Sequence, residues 1–324
     1  MFKKKRKSHV AIEIKDYILR ALVAKGTDPA QWKGYELPLP QGIVEDSVIQ
    51  DELAMFDLLK SQVAKWTGKK QSTRIFVPDV SVLFKSFEHP SDLAAKDLKG
   101  FVEMELGQSI HLPFQQPLID VYDPITDDGL AMLFAVPSEE VMKTIGLLLD
   151  ISLEPQVADI RALSNIRLLE YMDIVKNDRT YLIADWSLNE LSISIFSKGQ
   201  LEFLRYQAFD INLSHWEMKE QEAFQYSFTL TDDDEDYRII LTDQMLEMDR
   251  IMNFFSFSLH KGEKRVDEII ILGDNPLLAI IKSFLEENFN LPIMTIDDAL
   301  MQKHFKHFDG KFASLIGLTL KEVK

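Results

Sequence analysis

The chain has 324 residues, which is long for one compact core and favours two lobes or domains. Apolar residues make up 46% of it, and its formal net charge at pH 7 is -16. This acidic balance argues against nucleic acid as a bulk partner, because phosphate backbones are bound through cationic surfaces. The chain has no cysteine, which excludes disulfides and thiolate catalysis and fits a reducing cytoplasm.

The first eight residues, MFKKKRKS, form a basic segment that we predict to be flexible. Charged residues interrupt the apolar stretch that follows, so no signal-peptide core is expected. No run approaches the roughly 20 apolar residues that cross a bilayer, and we expect a soluble chain. The basic segment leaves two interpretations open. It is either a solvated terminus or a peripheral contact with anionic lipid, where each Lys or Arg contributes about 1 kcal/mol.

Two stretches on opposite sides of the midpoint share one pattern. Residues 10–23 and 181–203 each read as an apolar strand, a polar turn and a second apolar strand. This repeat predicts two similar lobes whose turns converge on the cleft between them. The polar corners of the two turns contain Glu13, Lys15, Asp16, Asp185, Trp186 and Ser187.

Between the two stretches, the patterns predict strands and helices in alternation. Apolar residues at spacings of three and four predict a helix over 47–66. Residues 80–150 read as an insertion with its own elements, in which prolines make the run from 111 to 128 extended. The other elements predicted in this half are strands over 74–78, 82–87, 130–136 and 155–160, and helices over 93–106, from Ser138 onward and over 163–172.

The second half begins with a hairpin whose turn is Lys198-Gly199. Residues 210–236 lack periodicity and are predicted to be irregular. The apolar run 268–272 is predicted to be a central strand that is buried on both faces. The remaining predicted elements are helices over 243–259, 277–289 and 312–323 and a strand over 292–296.

Most site types lack a signal in this sequence. Of the seven histidines, only His304 and His307 are spaced like metal ligands, and such a pair is more typical of a polar helix face, so we expect no metal site. No serine lies in a nucleophile elbow, and there is no glycine-rich phosphate loop of the P-loop or dinucleotide type. The cleft between the two lobes is therefore the remaining candidate.

A nucleotide site in this cleft has a plausible set of residues. Backbone N–H groups at glycine turns hold phosphates, and a neighbouring carboxylate holds magnesium. Asp185 ends a strand and is suitably placed for magnesium. Gly273, followed by Asp274 and Asn275, would allow close approach of an adenine ring. The alternative is that Asp185 caps a turn and Gly273 only turns the chain, and spacing alone leaves both open.

Several segments resemble one known family. IEIKDYILRALV, DLKGFVEMELGQSIHLPF, LEPQVADIRALS, ADWSLNELSISIFSKGQLEFLR and IIILGDNP resemble, in this order, the family of the type IV pilus assembly protein PilM. These are actin-like proteins related to the cell-division protein FtsA. The likeness covers nearly the whole chain, and its most specific part is SIHLPF at 109–114.

The resemblance implies an α/β fold of the actin-like (ribonuclease H-like) type, with two lobes and an inserted subdomain in the first lobe. It implies a flexible segment over 1–8, a first lobe over 9–79 and 154–178, an inserted subdomain over 80–153 and a second lobe over 179–324. Family members are cytoplasmic, bind ATP in the cleft, and bind the N-terminal cytoplasmic tail of the inner-membrane protein PilN in the pilus assembly platform.

The departures from the family pattern predict a degenerate nucleotide site. Lys15 replaces the usual glycine of the first turn, and Trp186 would put a bulky side chain where a phosphate needs a bare N–H. Asp274 replaces one of two glycines in the adenosine turn. No cofactor is therefore expected, although ATP with magnesium remains possible. The candidate cleft residues are Glu13, Lys15, Asp16, Asp185, Trp186, Ser187, Gly273, Asp274 and Asn275.

The sequence thus predicts a non-catalytic adaptor of a type IV pilus, or of a related competence or secretion machine, peripheral to the inner face of the cell membrane. The alternative is an active actin-like ATPase of the same machine. The expected partner is the tail of a PilN-like protein, with an assembly ATPase and self-association as further possibilities. A candidate partner surface, for which a packing role is equally consistent, is His111, Leu112, Pro113 and Phe114.

Overall fold

The computed structural model describes residues 8–123, 128–222, 225–231 and 234–322. The first three strands form an antiparallel meander, and the strand after the first helix lies parallel to the first strand of this meander. Asp51 caps the helix, since its side chain accepts a hydrogen bond from the N–H of Ala54. The elements are β1 (His9–Ile14), β2 (Ile18–Ala24), β3 (Lys33–Pro38), β4 (Val44–Glu45), β5 (Val48–Ile49), α1 (Glu52–Trp66) and β6 (Gln71–Phe76).

An inserted unit of three antiparallel strands follows, with strand order β7-β9-β8. One face of this small sheet packs on α2 through Phe87, Leu98, Val102 and Leu133, while the opposite face carries Leu118 and its neighbours. The insertion and the elements after it are β7 (Leu83–Glu88), α2 (Leu98–Glu105), β8 (Pro117–Tyr122), β9 (Leu130–Pro137), α3 (Ser138–Asp150), β10 (Leu153–Asp159) and α4 (Arg161–Tyr171).

Helix α3 belongs by its packing to the first lobe. The boundary at residue 153 drawn from the sequence groups it with the insertion. In the structure, Leu147 and Leu148 join the core formed by Met55, Leu59 and Leu153. Strand β10 then adds to β6 in parallel, which gives the first sheet the order β10-β6-β1-β2-β3.

The second lobe repeats this topology, with sheet order β17-β16-β11-β12-β13. Each lobe therefore has an antiparallel three-strand meander and two parallel strands, which confirms the two-lobe prediction from the repeated strand–turn–strand pattern. Its elements are β11 (Thr180–Trp186), β12 (Glu190–Ser197), β13 (Gln200–Ala208), β14 (Trp216–Glu222), β15 (Gln225–Leu230), α5 (Asp234–Asn253), a π-helical segment (Phe254–Leu259), β16 (Glu268–Gly273), α6 (Leu278–Asn288), β17 (Ile293–Thr295), α7 (Asp298–Phe305) and α8 (Ala313–Leu320).

The prediction of irregular structure over 210–236 is wrong for the hairpin of β14 and β15. These strands pair in antiparallel fashion from Trp216 opposite Leu230 to Glu222 opposite Gln225. The sequence WEMKEQE gave no apolar alternation because β14 is exposed to solvent along most of its length.

Helices α4 and α8 pack against each other between the two sheets. Their core includes Leu22 of the first sheet, Ile270 of the second, and Leu168, Leu315 and Ile316 of the helices. The helices approach so closely that a Cβ on Gly317 would lie 2.0 Å from the carbonyl oxygen of Ser164. This contact holds the lobes in one relative orientation, in which both polar turns lie at the cleft between the lobes.

Candidate functional site between the lobes

The two polar turns meet as the sequence predicts. Lys15 of the first turn extends its Nζ to within 2.5 Å of the Ser187 Oγ in the second turn. Asp16 accepts hydrogen bonds from the Asn189 Nδ2 at 2.7 Å and from the Ser47 N–H at 2.8 Å. Lys15 and Asp16 are buried, so the turns interlock rather than border an open crevice.

Asp274 connects the third turn of the cleft to the first lobe. Its carboxylate accepts from the Lys15 Nζ at 2.8 Å, the Arg20 Nη1 at 2.6 Å and the Tyr17 hydroxyl at 2.7 Å. Burial alone would raise the pKa of Asp274, but Lys15 and Arg20 lower it well below its ordinary value. Asp274 is therefore a carboxylate held by two cations.

Arg161, the first residue of α4, forms a second charged centre. Its guanidinium pairs with Glu13 of β1, with the Asp79 Oδ2 at 2.8 Å and, more loosely, with the Glu190 Oε1 at 3.8 Å. Burial raises the pKa of Glu190 to about 7, although Arg161 and Lys15 oppose the shift. Glu190 is therefore protonated more easily than an ordinary glutamate.

Arg20 extends the network to the outer strand of the first lobe. Its Nε donates to the Glu36 Oε1 on β3 at 2.6 Å. The other oxygen of Glu36 accepts from the Tyr226 N–H and from the Lys311 Nζ, each at 2.7 Å. The hairpin of β14 and β15, which starts in the second lobe, is in this way tied to β3 of the first.

Asp185 lies at the end of β11 and is buried. Its Oδ2 accepts from the Asn165 Nδ2 at 2.7 Å and lies 3.1 Å from the Ser314 Oγ. Within the described part of the chain, its Oδ1 has no hydrogen-bond partner and faces Gly273. Asp185 is therefore held by the helices between the lobes through one oxygen only.

Two cleft candidates have roles other than those that the sequence suggested. Trp186 lies within β11, and its ring packs in the second-lobe core, 5.9 Å from the ring of Phe209, so its bulk does not enter the cleft. Gly273 has φ +119°, and a Cβ there would lie 2.1 Å from the carbonyl oxygen of Trp186. The glycine is required where β16 approaches β11, whether or not an adenine ring is present.

One backbone N–H group in each of the three turns donates to a carbonyl oxygen of the protein. Those of Lys15, Ser187 and Asn275 donate to the carbonyl oxygens of Ile18, Glu190 and Trp186 at 2.9, 2.9 and 3.1 Å. The Asn275 side chain donates to the Ser187 carbonyl and to the Tyr237 hydroxyl, each at 2.7 Å. The third turn is in this way hydrogen-bonded to the second.

Sequence reasoning missed most partners in this network. Arg20 was detectable as a cation inside the apolar strand ILRALVA, and Arg161 as one directly after the buried end of β10. Neither signal says which carboxylate is the partner. The network contains the buried cations Lys15, Arg20 and Arg161 and the buried carboxylates Glu13, Asp16, Glu36, Asp79, Asp185, Glu190 and Asp274.

A cavity of about 570 Å³ opens beside the third turn. It borders Gly273 and Asn275 on one side and Tyr226 and Phe228 of the hairpin on the other, with Lys282 at its wall. Among the described residues, no group of three or more His, Cys, Asp or Glu is arranged to hold a metal ion.

A second cavity, of about 590 Å³, lies where the inserted unit, the first lobe and the turn between β12 and β13 of the second lobe meet. Strand β8 is an edge of the small sheet and β10 is an edge of the first-lobe sheet, and both border it. Helix α4 forms a further wall with Leu163 and Ile166. We call this cavity the edge-strand groove.

The candidate partner segment lies next to this groove but does not line it. His111, Leu112, Pro113 and Phe114 lie in the loop between α2 and β8, and Leu112 packs against the core of the inserted unit. The groove is lined instead by the residues that follow, from Leu118 to Tyr122.

Comparison with known proteins identifies the family of this chain. Residues 33–321 match the family model described as type IV pilus assembly protein PilM. The chain belongs to this family. No curated protein matches it. Among the described residues, no helix combines the length and the apolar character needed to cross a membrane.

Solved structures agree with this membership at the level of the fold. The PilM-family chain is similar to a structure described as the PilM-PilN type IV pilus biogenesis complex, with a TM-score of 0.76 and 17% identity, covering 97% of this chain and 98% of that one. It is also similar to MreB5 of Spiroplasma citri bound to ADP, with a TM-score of 0.52 and 10% identity over 97% and 96% of the chains. For EutJ from Carboxydothermus hydrogenoformans, the TM-score is 0.51 and the identity is 8%, covering 97% of this chain and 89% of that one. The fold is therefore actin-like, as the sequence predicts.

Proposed function

We propose that this protein is a non-catalytic adaptor of a type IV pilus assembly platform, or of a related competence or secretion machine, that binds the cytoplasmic tail of a PilN-like membrane protein. The observation that carries the proposal is a contrast between two sites. Buried ion pairs fill the centre of the cleft and leave a cavity of about 570 Å³ beside its third turn, whereas the edge-strand groove is open and lined mostly by apolar residues.

The charges of the cleft fit Mg-ATP poorly. A polyphosphate needs free cations and free N–H groups. Lys15 and Arg20 are engaged by Asp274, and one N–H group of each turn donates to a carbonyl oxygen. Seven buried carboxylates against three buried cations would repel it further. Binding would require breaking the contacts of Lys15 and Arg20 with Asp274, which leaves a buried carboxylate without its partners.

The groove fits an extended peptide. The edge strand β8 borders it from Leu118 to Tyr122, and an added strand could pair with β8 through its backbone while its alternate side chains enter the cavity. Strand β10 contributes only its last two residues, Ala158 and Asp159. A structure described as a PilM-PilN complex shares the fold over almost the whole chain, which supports a PilN-like tail as the occupant.

Two titrations test this proposal. In isothermal titration calorimetry, we expect no heat of Mg-ATP binding up to millimolar nucleotide. In fluorescence polarisation, a labelled N-terminal peptide of the PilN-like protein from the same genome should bind, and Leu118→Asp in the groove should weaken it at least about tenfold, because a charge would enter an apolar cavity. Leu53→Asp is the matched control, since Leu53 is exposed on α1 and does not line the groove. Micromolar ATP binding, or equal effects of both substitutions, would contradict the proposal.

One observation favours the alternative of an active ATPase. The Asp185 Oδ1 is buried without a hydrogen-bond partner among the described residues and faces Gly273, which borders the 570 Å³ cavity. A carboxylate oxygen in that position could hold magnesium. An ATP hydrolysis rate that Asp185→Asn abolishes would establish this alternative.

A further inference from the structure

The edge-strand groove has an uneven charge lining. Its ionisable residues include three carboxylates, Asp120, Asp159 and Glu170, and two cations, Arg167 and Lys321. Both cations are engaged by Asp159, at 3.1 Å from the Arg167 Nη2 and 2.8 Å from the Lys321 Nζ. Arg167 also donates to the Gly317 carbonyl oxygen. Among the described residues that line the groove, no cation forms an ion pair with the other two carboxylates, although Arg167 lies near enough to Glu170 to favour its charged form.

Asp120 and Glu170 lie on different walls. Asp120 projects from β8 on the face that carries Leu118 and Tyr122, opposite Phe134 of the neighbouring strand. Glu170 belongs to the last turn of α4. Within the described residues, neither forms an ion pair, and the Asp120 Oδ1 accepts only from the next N–H, that of Val121.

Both carboxylates are exposed to solvent at the rim of the groove, with apolar residues beside them. Leu118 and Tyr122 flank Asp120 along the strand, and Leu163 and Ile166 precede Glu170 on the helix. Partial burial raises the pKa of Glu170, although Arg167 opposes the shift. A carboxylate in such a setting gains from a cation that arrives with a ligand, because the ligand also displaces water from the groove.

We propose that the groove selects a peptide with a basic residue among apolar ones, and that its Lys or Arg side chain pairs with Asp120 and Glu170. This inference rests on the proposed function, since it concerns the tail that the groove would bind. The net charge of -16 would also speed the encounter of a basic peptide with the chain.

The test compares charges on both sides of the groove. The labelled PilN-like tail is titrated against the parent protein and against an Asp120→Asn/Glu170→Gln double variant. We expect the double variant to bind about tenfold more weakly, and its affinity to depend less on salt between about 50 and 500 mM. Replacing the basic residue of the peptide by Gln should weaken binding to the parent but not weaken it further in the double variant. The control is Asp57→Asn/Glu287→Gln, which makes the same charge change at exposed residues outside the groove.

A charge exchange makes the test specific for pairing. An Asp120→Lys/Glu170→Lys variant should lose the native peptide and recover affinity for a peptide in which Glu replaces the basic residue. If the native peptide binds the parent and the double variant equally at every salt concentration, but Leu118→Asp weakens binding, the charge inference is wrong while the groove remains the binding site. If Leu118→Asp also leaves binding unchanged, the proposed function fails as well.

Discussion

Lys15 illustrates how one side chain changes the chemistry of a turn. The sequence predicts weakened phosphate binding from the missing glycine alone. In the structure, the ammonium group also bridges Ser187 and Asp274, so that a tethered cation of the first lobe holds two turns of the second. Burial would lower the pKa of Lys15, but Asp274 and Glu13 raise it, and the group stays charged.

Glu190 gives the fold a measurable pH dependence. Its pKa is about 7 in the native state against 4.5 in its ordinary environment. Between these values, the native protein keeps a proton that the unfolded chain has released, so stability falls as the pH rises through this window. We expect the free energy of unfolding of the parent protein to fall by about 2 kcal/mol between pH 5 and pH 7.5, since each pKa unit is worth about 1.4 kcal/mol. The Glu190→Gln variant should lack this fall.

Urea unfolding of both proteins at these two pH values measures this effect. The difference between the two pH curves reports the titration of Glu190 together with its coupling to its charged neighbours, Arg161 and Lys15 first among them. Parallel curves would show that Glu190 titrates normally in the folded protein.

At the scale of elements, the contact of α4 with α8 depends on a single glycine. Any side chain at Gly317 meets the carbonyl oxygen of Ser164, a backbone atom that cannot rotate away. We expect Gly317→Ala to lower the free energy of unfolding by at least about 2 kcal/mol. Gly146→Ala on α3 is the control, because nothing lies within 4 Å of its added methyl group and alanine favours the helix. Differential scanning calorimetry that ranks the two variants the other way round would refute this packing argument.

The hairpin of β14 and β15 acts as a strap across the lobes. The ring of Phe228 packs edge-on against Tyr17 of the first lobe at 5.2 Å, next to the hydrogen bond from Tyr226 to Glu36. We expect Phe228→Ala to cost about 2 kcal/mol of stability and to speed hydrogen exchange in β3. Phe257→Ala, at a ring that is 69% exposed, should change neither. Unchanged exchange in β3 would mean that the hairpin does not restrain the first lobe.

At the scale of the whole molecule, the basic segment contrasts with an acidic body. Residues 1–7 lie outside the described part of the chain, and membrane contact is our proposal from their charge alone. We expect deletion of residues 3–7 to reduce co-sedimentation with liposomes that contain anionic lipid, and to leave the weaker sedimentation with neutral liposomes unchanged. Equal sedimentation of the full chain and the deletion variant would remove this part of the proposal.

The sequence predicted the parts of the fold that rest on local pattern. The repeated strand–turn–strand units and the buried strand β16 follow from apolar periodicity, and the two turns therefore converge on one point. Long-range pairing could not be predicted from the sequence, since nothing in the chain indicates that Arg161 pairs with Glu13, 148 positions away. The position of Trp186 was also missed, because strand alternation alone does not tell which face of β11 meets the core.

Helix α8 has a consequence for how this protein comes to be folded. It supplies buried side chains to the layer between the two sheets, although it follows every other described helix and strand in the chain. During synthesis, the two lobes therefore cannot complete their shared core until α8 has been made. Apolar surface on the unfinished lobes stays open to chaperones until then, and fragments that contain only one lobe should aggregate when they are produced alone.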